Sequence, residues 1–126
     1  MRLHHVQVSI PAGGEEAGRR FYRDGLGMTE IDKPAELAKR GGAWLRSEGG
    51  AEIHLGVEVE MRPAERAHPA LAVDSTVELE ALAERLEAIG FDVDWSQRHN
   101  TGRFERFHTW DPFGNRVEVV HEVTDR

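Results

Sequence analysis

The sequence contains no cysteine, and this absence excludes several kinds of chemistry at once. A disulfide framework, thiol catalysis and metal sites with cysteine ligands all require the missing residue. Any metal ion in this protein must therefore be held by histidine and carboxylate side chains. The chain has seven histidines in 126 residues, which is the unusual feature of its composition.

Long apolar runs and an excess of basic residues are also missing. No stretch approaches the roughly 20 apolar residues of a membrane span, and the start Met-Arg-Leu-His-His lacks the apolar region of a signal peptide. We therefore expect a cytoplasmic protein with no membrane partner. The formal net charge of −7 disfavours nucleic acid as a partner. A chain of this length with 39% apolar residues can bury the core of one globular domain.

The last predicted strand carries the first candidate for chemistry. The segment Asp-Pro-Phe-Gly-Asn favours a tight turn, and the alternating residues after it predict a strand over 115–123. Successive side chains of a strand point to opposite faces, so Glu118 lies opposite Val117 and Val119. If the valines face the core, the carboxylate faces the other side of the sheet and needs a partner there.

Periodicity and turn residues predict the other elements. We expect one helix over 15–26 and a second that follows a capping box at Ser75 and Glu78 and is closed by Gly90. Strands are predicted at about 3–10, 28–32, 43–47, 51–58, 68–74, 91–95 and 103–110.

The order strand, helix and three strands occurs twice. We therefore expect one domain, 1–126, made of modules 1–59 and 68–126, with the charged segment 60–67 as the linker. The glycines that close the two helices are 63 positions apart, and so are His5 and His68 in the first strands of the modules.

Four polar side chains of the first and last strands occupy corresponding positions in the repeat. These candidate metal ligands are His5, His54, His68 and Glu118. Imidazole and carboxylate ligands without thiolate suit Zn, Fe, Mn, Ni or Co, and such an ion polarises substrate oxygens as a Lewis acid. Gln7 or Glu52 is an alternative to His54, either as the ligand or as a residue that supports the ligands.

Four segments, which together cover nearly the whole chain, carry a resemblance to a known family. They are His5 in Leu-His-His-Val-Gln-Val, the helix end 21–28, His68 before Pro-Ala-Leu-Ala-Val-Asp, and the turn and strand 111–118. With these segments the chain resembles the vicinal oxygen chelate superfamily. That superfamily includes glyoxalase I, fosfomycin-resistance transferases, bleomycin-resistance proteins and extradiol dioxygenases.

The resemblance implies an α+β fold of two βαβββ modules whose curled mixed sheet surrounds a metal cleft. It also implies a homodimer in which the first module of one chain commonly faces the second module of its twin. The ligand positions of the family match His5, His68 and Glu118 in this sequence. His54 stands at the fourth position, where many glyoxalases have Glu, so the two-carboxylate arrangement of lactoylglutathione lyase is not reproduced.

Further candidates lie in or beside the strand that precedes the final turn, which contains Arg106, His108 and Trp110 and begins near Arg103. A guanidinium beside an aromatic ring can clamp an anionic substrate. We take Arg103, Arg106 and Trp110, together with Gln7, as candidate substrate-binding residues. The alternative is that the arginines are exposed side chains of an edge strand.

Together with the candidate ligands, the resemblance implies a metal-dependent enzyme of the glyoxalase or dioxygenase type. Its substrate would be a small molecule with adjacent oxygens, and Glu118 would serve as a ligand and as the catalytic base. Lyase, isomerase, transferase and dioxygenase reactions all remain open. The alternative is a metal-free protein of the bleomycin-resistance type that binds a small molecule in the same cleft.

Overall fold

The structure, a computed structural model, describes residues 1–123. Its strands are β1 (His5–Ile10), β2 (Thr29–Ile31), β3 (Ala43–Arg46), β4 (Glu52–Val57), β5 (Ala70–Ala72), β6 (Val93–Asp94), β7 (Phe104–Trp110) and β8 (Arg116–Glu122). The helices are α1 (Glu15–Arg19), which continues as a π-helical segment (Arg20–Gly25), α2 (Ala35–Ala38) and α3 (Thr76–Ala88). None of these helices has the length and hydropathy of a membrane span.

The strands form two four-stranded sheets with the same internal order. The first sheet has the order β1-β4-β3-β2 and the second has the order β5-β8-β7-β6. In each sheet the edge strand β1 or β5 pairs in parallel with the last strand of its half, and the other pairs are antiparallel. These mixed sheets with their helices confirm the predicted α+β fold and the predicted repeat.

The register of the sheets superposes the two halves residue by residue. On β4, His54 lies between Gln7 of β1 and Trp44 of β3. On β8, Glu118 lies between Ala70 of β5 and His108 of β7. His54 and Glu118 are therefore equivalent central positions, as their spacing of 64 predicts.

One continuous apolar core lies beneath both sheets and contacts the helices. Val117 and Val119 are buried in it, so the prediction that Glu118 lies on the opposite face of β8 is confirmed. The buried leucines of α3 include Leu79 and Leu86, and Ser75 caps this helix by accepting a hydrogen bond from the backbone N–H of Glu78. The predicted cap of the helix is therefore present.

The first helix differs from the prediction because it widens after Arg19 into a π-helical segment. Gly25 lies there against α3, where a β-carbon on Gly25 would be 2.6 Å from Leu86 Cδ2. The close approach of the two helices therefore requires glycine at this position. The short helix α2 was not predicted at all.

The predicted strand at 91–95 is shortened to the two residues of β6. Its flanking aromatic residues pack on the core instead of extending the ladder. The ring of Phe91 lies 5.0 Å from that of Phe21, and the ring of Trp95 lies 5.2 Å from that of Phe107, in both cases between centroids. Burial of these rings outweighs further strand pairing at the edge of the sheet.

A buried polar network fixes the turn before β8. The Tyr22 hydroxyl donates to Asp111 Oδ2 at 2.7 Å, and Asn115 Nδ2 donates to the same oxygen and to the backbone oxygen of Ser9, both at 2.8 Å. Burial raises the pKa of Tyr22, and the Asp111 charge raises it further, so Tyr22 remains a donor. The network ties the β7–β8 turn to the first half of the chain and so helps to position β8.

Candidate metal centre

Three side chains with metal-ligand chemistry converge on the open face of the second sheet. Glu118 lies on β8, His108 lies opposite it on β7, and His68 precedes β5 by two residues. One ligand atom of each lies within 4.8 Å of those of the other two. Glu118 Oε1 is 3.1 Å from His68 Nε2 and 3.3 Å from His108 Nε2.

The orientation of His68 favours a cation beside Glu118. His68 Nδ1 lies 2.7 Å from the backbone oxygen of Arg66, which can only accept, so Nδ1 carries the proton and donates. In a neutral imidazole Nε2 then has a lone pair, which faces the carboxylate oxygen of Glu118. Two acceptors at this distance need a proton or a metal ion between them.

His108 is the most deeply buried member of the cluster, with 1% of its surface exposed. Burial lowers the pKa of His108, and the nearby Arg116 charge lowers it further, so the neutral imidazole that a metal requires is favoured. His108 Nδ1 is buried without a hydrogen-bond partner. The donor set of two imidazoles and one carboxylate therefore fits a divalent transition metal.

Arg106 shares the same carboxylate. Its Nη1 donates to Glu118 Oε1 at 3.1 Å, and its Nη2 donates to Gln97 Oε1 at 3.2 Å and to Asn100 Oδ1 at 3.0 Å. The loop before β7 thus holds the guanidinium in place beside the cluster. Arg106 balances the negative charge that Glu118 would offer to a metal.

The corresponding positions of the first sheet hold a stack of rings. His54 lies between Trp44 and His5, with ring centroids 4.0 Å from each and interplanar angles of 8° and 12°. His54 Nε2 donates to Glu52 Oε1 at 2.9 Å, since an ionised carboxylate only accepts. Hydrogen bonds from His54 and Arg46 lower the pKa of Glu52 to about 2, and burial lowers the pKa of His54.

The predicted ligands therefore fall into two groups. His68 and Glu118 share one cluster on the second sheet, while His5 and His54 stack on the first. Within residues 1–123 of a single chain, His5 and His54 do not join the group of converging ligand atoms. His108 was not predicted as a ligand, although its phase in β7, which it shares with Arg106, could have indicated it.

The predicted substrate-binding residues have different surroundings. Arg106 contacts Glu118, and Trp110 lies on the same face of β7 with 37% of its surface exposed. The side chain of Gln7 lies across Gly56 of the first sheet. Arg103 is exposed and lies just before β7. It is three positions from Arg106, and side chains an odd number of positions apart in a strand point to opposite faces, so the two arginines do not share a face.

Two similar mixed sheets with a His–His–Glu cluster on an open face define an α+β protein with a candidate metal centre. The chain belongs to the Glyoxalase/Bleomycin resistance protein/Dioxygenase superfamily, whose sequence profile matches residues 2–119. The expected resemblance is therefore confirmed at the level of the family.

Solved structures of this superfamily closely resemble the chain. A glyoxalase family protein from Bacillus anthracis is 42% identical, with a TM-score of 0.86 over 97% of this chain and 95% of that one. A glyoxylase/bleomycin resistance protein/dioxygenase domain from Frankia sp. EAN1pec is 20% identical, with a TM-score of 0.79 over 100% of this chain and 95% of that one.

The fosfomycin resistance protein FosX from Listeria monocytogenes is 14% identical, with a TM-score of 0.73 over 94% of this chain and 88% of that one. At this identity, as for the Frankia domain, the likeness shows the fold alone. A sequence comparison with curated proteins gave no match.

Proposed function

We propose that the protein is a metal-dependent enzyme of the glyoxalase or dioxygenase type, acting on a small molecule with adjacent oxygens. The observation that carries the proposal is the convergence of the exposed His68 with the buried His108 and Glu118 in a chain of this superfamily. A divalent ion bound there, such as Zn, Fe, Mn, Ni or Co, would polarise adjacent substrate oxygens and stabilise an enolate-like anion.

The chain's own residues would have distinct roles at such a centre. His68 and Glu118 are proposed ligands, and Glu118 is also the proposed base that accepts a proton from the substrate. His68 is oriented for ligation by its hydrogen bond to the Arg66 backbone. His108 lies within reach of the same ion and is a third proposed ligand from the second sheet.

His5 and His54 would come from the first sheet of a second copy of the chain. Their separation from the cluster within one chain is consistent with the homodimer that the family resemblance implies. A C₂ dimer would then contain two equivalent sites, each completed by both copies. His54 would more readily support His5 than ligate through Nε2, because that nitrogen already donates to Glu52.

The proposed substrate-facing residues are Arg106 and Trp110 in the second sheet and Gln7 in the first sheet. The Arg106 guanidinium would bind an anionic oxygen, and the half-exposed Trp110 ring would form an apolar wall. Arg103 has no role in this proposal because it lies on the other phase of its strand.

A second candidate function is metal-free binding of a small molecule, as expected for a protein of the bleomycin-resistance type. The contact between Arg106 and Glu118 favours this alternative, because the guanidinium already neutralises the buried carboxylate.

Metal analysis of protein purified without chelator separates the two functions. We expect about one divalent ion per chain in the wild type and a strong loss in the variants His5→Ala, His68→Ala and Glu118→Ala. His121→Ala is the matched control, since its ring contacts the Val73 backbone on the other face of β8. Equal metal content in Glu118→Ala and wild type, or no ion in either, would contradict the proposed enzyme.

A further inference from the structure

Two buried nitrogen atoms of the described residues lack hydrogen-bond partners, and both lie on the face of Glu118. They are His108 Nδ1 and Arg116 Nε. Arg116 precedes Glu118 by two residues on β8 and pairs with Trp110 of β7, so it shares their face of the sheet. Folded proteins satisfy nearly all buried polar groups, so two exceptions make this face of the second sheet unusual.

A cavity of about 390 Å³ lies beside Arg116, between the edge of β1 and the segment 62–69. This volume is within the range of small-molecule sites. Its apolar lining includes Val6, Val8 and Pro69, and its polar lining includes Gln7 and His68. His68 belongs to the proposed metal centre as well, so the cavity adjoins that centre.

The charge of the cavity is positive although the chain is acidic. Arg62 and Arg116 both line it, and over residues 1–123 neither lies within 4.0 Å of a carboxylate. None of the described residues that line the cavity is Asp or Glu, so in a chain with a formal net charge of −7 this cavity is suited to a negative group.

We propose that this cavity is an anion-binding subsite, in which Arg116 and Arg62 hold a carboxylate or phosphonate and the apolar lining covers a short hydrocarbon part. The proposal deepens the proposed function, on which it rests for the role of the site, by naming the substrate class. The substrate would be a small amphipathic anion that reaches His68 from this cavity. The Arg116 guanidinium would donate to the anionic oxygen, as it does in charge-assisted pairs.

Binding can be measured without metal, by NMR titration of the arginine Nε–H resonances in the presence of a chelator. The probes are butyrate and butylphosphonate, with butan-1-ol as the neutral analogue. We expect saturable shifts of the Arg116 Nε–H signal with one or both anions and none with the alcohol. Which anion binds more tightly distinguishes a carboxylate from a phosphonate substrate.

Variants test the two arginines separately. Arg116→Gln should weaken anion binding about tenfold or more, because it removes a charged donor from a partly enclosed site. Arg62 lies in the exposed linker, so Arg62→Gln should weaken anion binding less than Arg116→Gln does. Arg40→Gln is the matched control, since Arg40 is exposed, lies away from the cavity lining and has no side-chain hydrogen bond or ion pair in the described structure. This variant should bind the anion as tightly as the wild type does. Melting temperatures confirm that each variant is folded.

Several results would overturn the subsite. They are the absence of saturable shifts with both anions, equal binding of butan-1-ol, or equal anion affinities in Arg116→Gln and Arg40→Gln. Arg116→Gln is not usable if it does not fold. In that case the subsite is overturned if Arg62→Gln binds the anion as tightly as the wild type and the Arg116 signals of the wild type do not shift. Failure of metal binding alone would refute the proposed enzyme but leave the anion result unchanged, so the two failures are distinguishable.

Discussion

The two sheets have the same strand order and register, but their equivalent positions hold different chemistry. In the first sheet the central residue His54 is flanked by the rings of Trp44 and His5. In the second sheet Glu118 takes the central position, His108 replaces the tryptophan, and His68 stands two residues before the β5 partner, as His5 does in β1.

The central side chain decides what its neighbours do. A planar imidazole between two rings gains dispersion from stacking, and its polar edge needs only the single bond to Glu52. A carboxylate in the same place cannot stack and instead gathers polar nitrogen atoms around its oxygens, here from His68, Arg106 and His108. One backbone frame thus provides a packed aromatic face and a polar cluster.

The largest expected effect is the loss of metal binding in Glu118→Ala. We expect its affinity for Ni²⁺ or Zn²⁺ to fall by more than the roughly 10- to 100-fold that removal of a ligand's hydrogen-bond partner costs. His54→Ala should show a smaller fall, because His54 Nε2 is already bonded to Glu52. Isothermal titration calorimetry measures both. Equal losses would mean that the two central positions contribute alike, contrary to the comparison.

Mixing of variants tests whether the two sheets meet across subunits. Chains with His5→Ala and chains with Glu118→Ala should each lose metal, while a heterodimer contains one intact and one doubly damaged site. Up to about half of the sites in heterodimers should then recover metal. Native mass spectrometry measures both subunit exchange and bound metal. Confirmed exchange without recovery, or a monomer at all concentrations, would exclude the shared site.

Arg106→Gln should increase metal affinity by about tenfold, because it removes a positive charge that contacts Glu118 Oε1. This result would sharpen the comparison between the sheets, since among residues 1–123 the only ion pair of His54 is with Glu52. Arg40→Gln changes the net charge equally and should leave the affinity as in the wild type. Calorimetry at constant ionic strength gives the ratio. An unchanged or weaker affinity in Arg106→Gln would show that the guanidinium does not compete with the metal.

The smallest expected effect is on the pH dependence of folding without metal. The pKa values of His54 and His108 are both lowered in the folded state from the ordinary value of 6.5. The unfolded chain therefore binds protons more readily, so the free energy of unfolding should be fully retained above about pH 6.5 and fall as the pH drops below it.

Urea unfolding at about pH 7, 6 and 5 in a chelating buffer measures this dependence. His54→Asn and His108→Asn should each flatten it, because each removes one buried imidazole. A variant with the wild-type slope would show that its histidine is not the titrating group. The predicted pH dependence would then be wrong only for the sheet that contains that histidine.

Several features could be predicted because they depend only on local pattern. The alternation in β8 predicted that Glu118 faces away from the valines, and the two valines are indeed buried. The cap of α3 at Ser75 depends on residues three positions apart and was also predictable. The spacing of 63 and 64 positions predicted the equivalence of the two halves before any contact was known.

Other features depend on pairings that no local pattern specifies. The phase of β7 gives the face of His108, but only the register with β8 places it opposite Glu118. The hydrogen bonds from Arg106 to Gln97 and Asn100 depend on the fold of the loop before β7, which no strand pattern specifies. The stack of Trp44, His54 and His5 requires three strands in register.

The sequence alone therefore determined the family, the α+β repeat and the histidines and carboxylate available for chemistry, because periodicity and spacing are properties of the chain itself. The tertiary structure decided which of these residues meet. Distances of about 3 to 4 Å between side chains on different strands depend on sheet register and burial, and these arise from packing over the whole fold. For this reason His68, His108, Arg106 and Glu118 form one cluster while His5 and His54 form another.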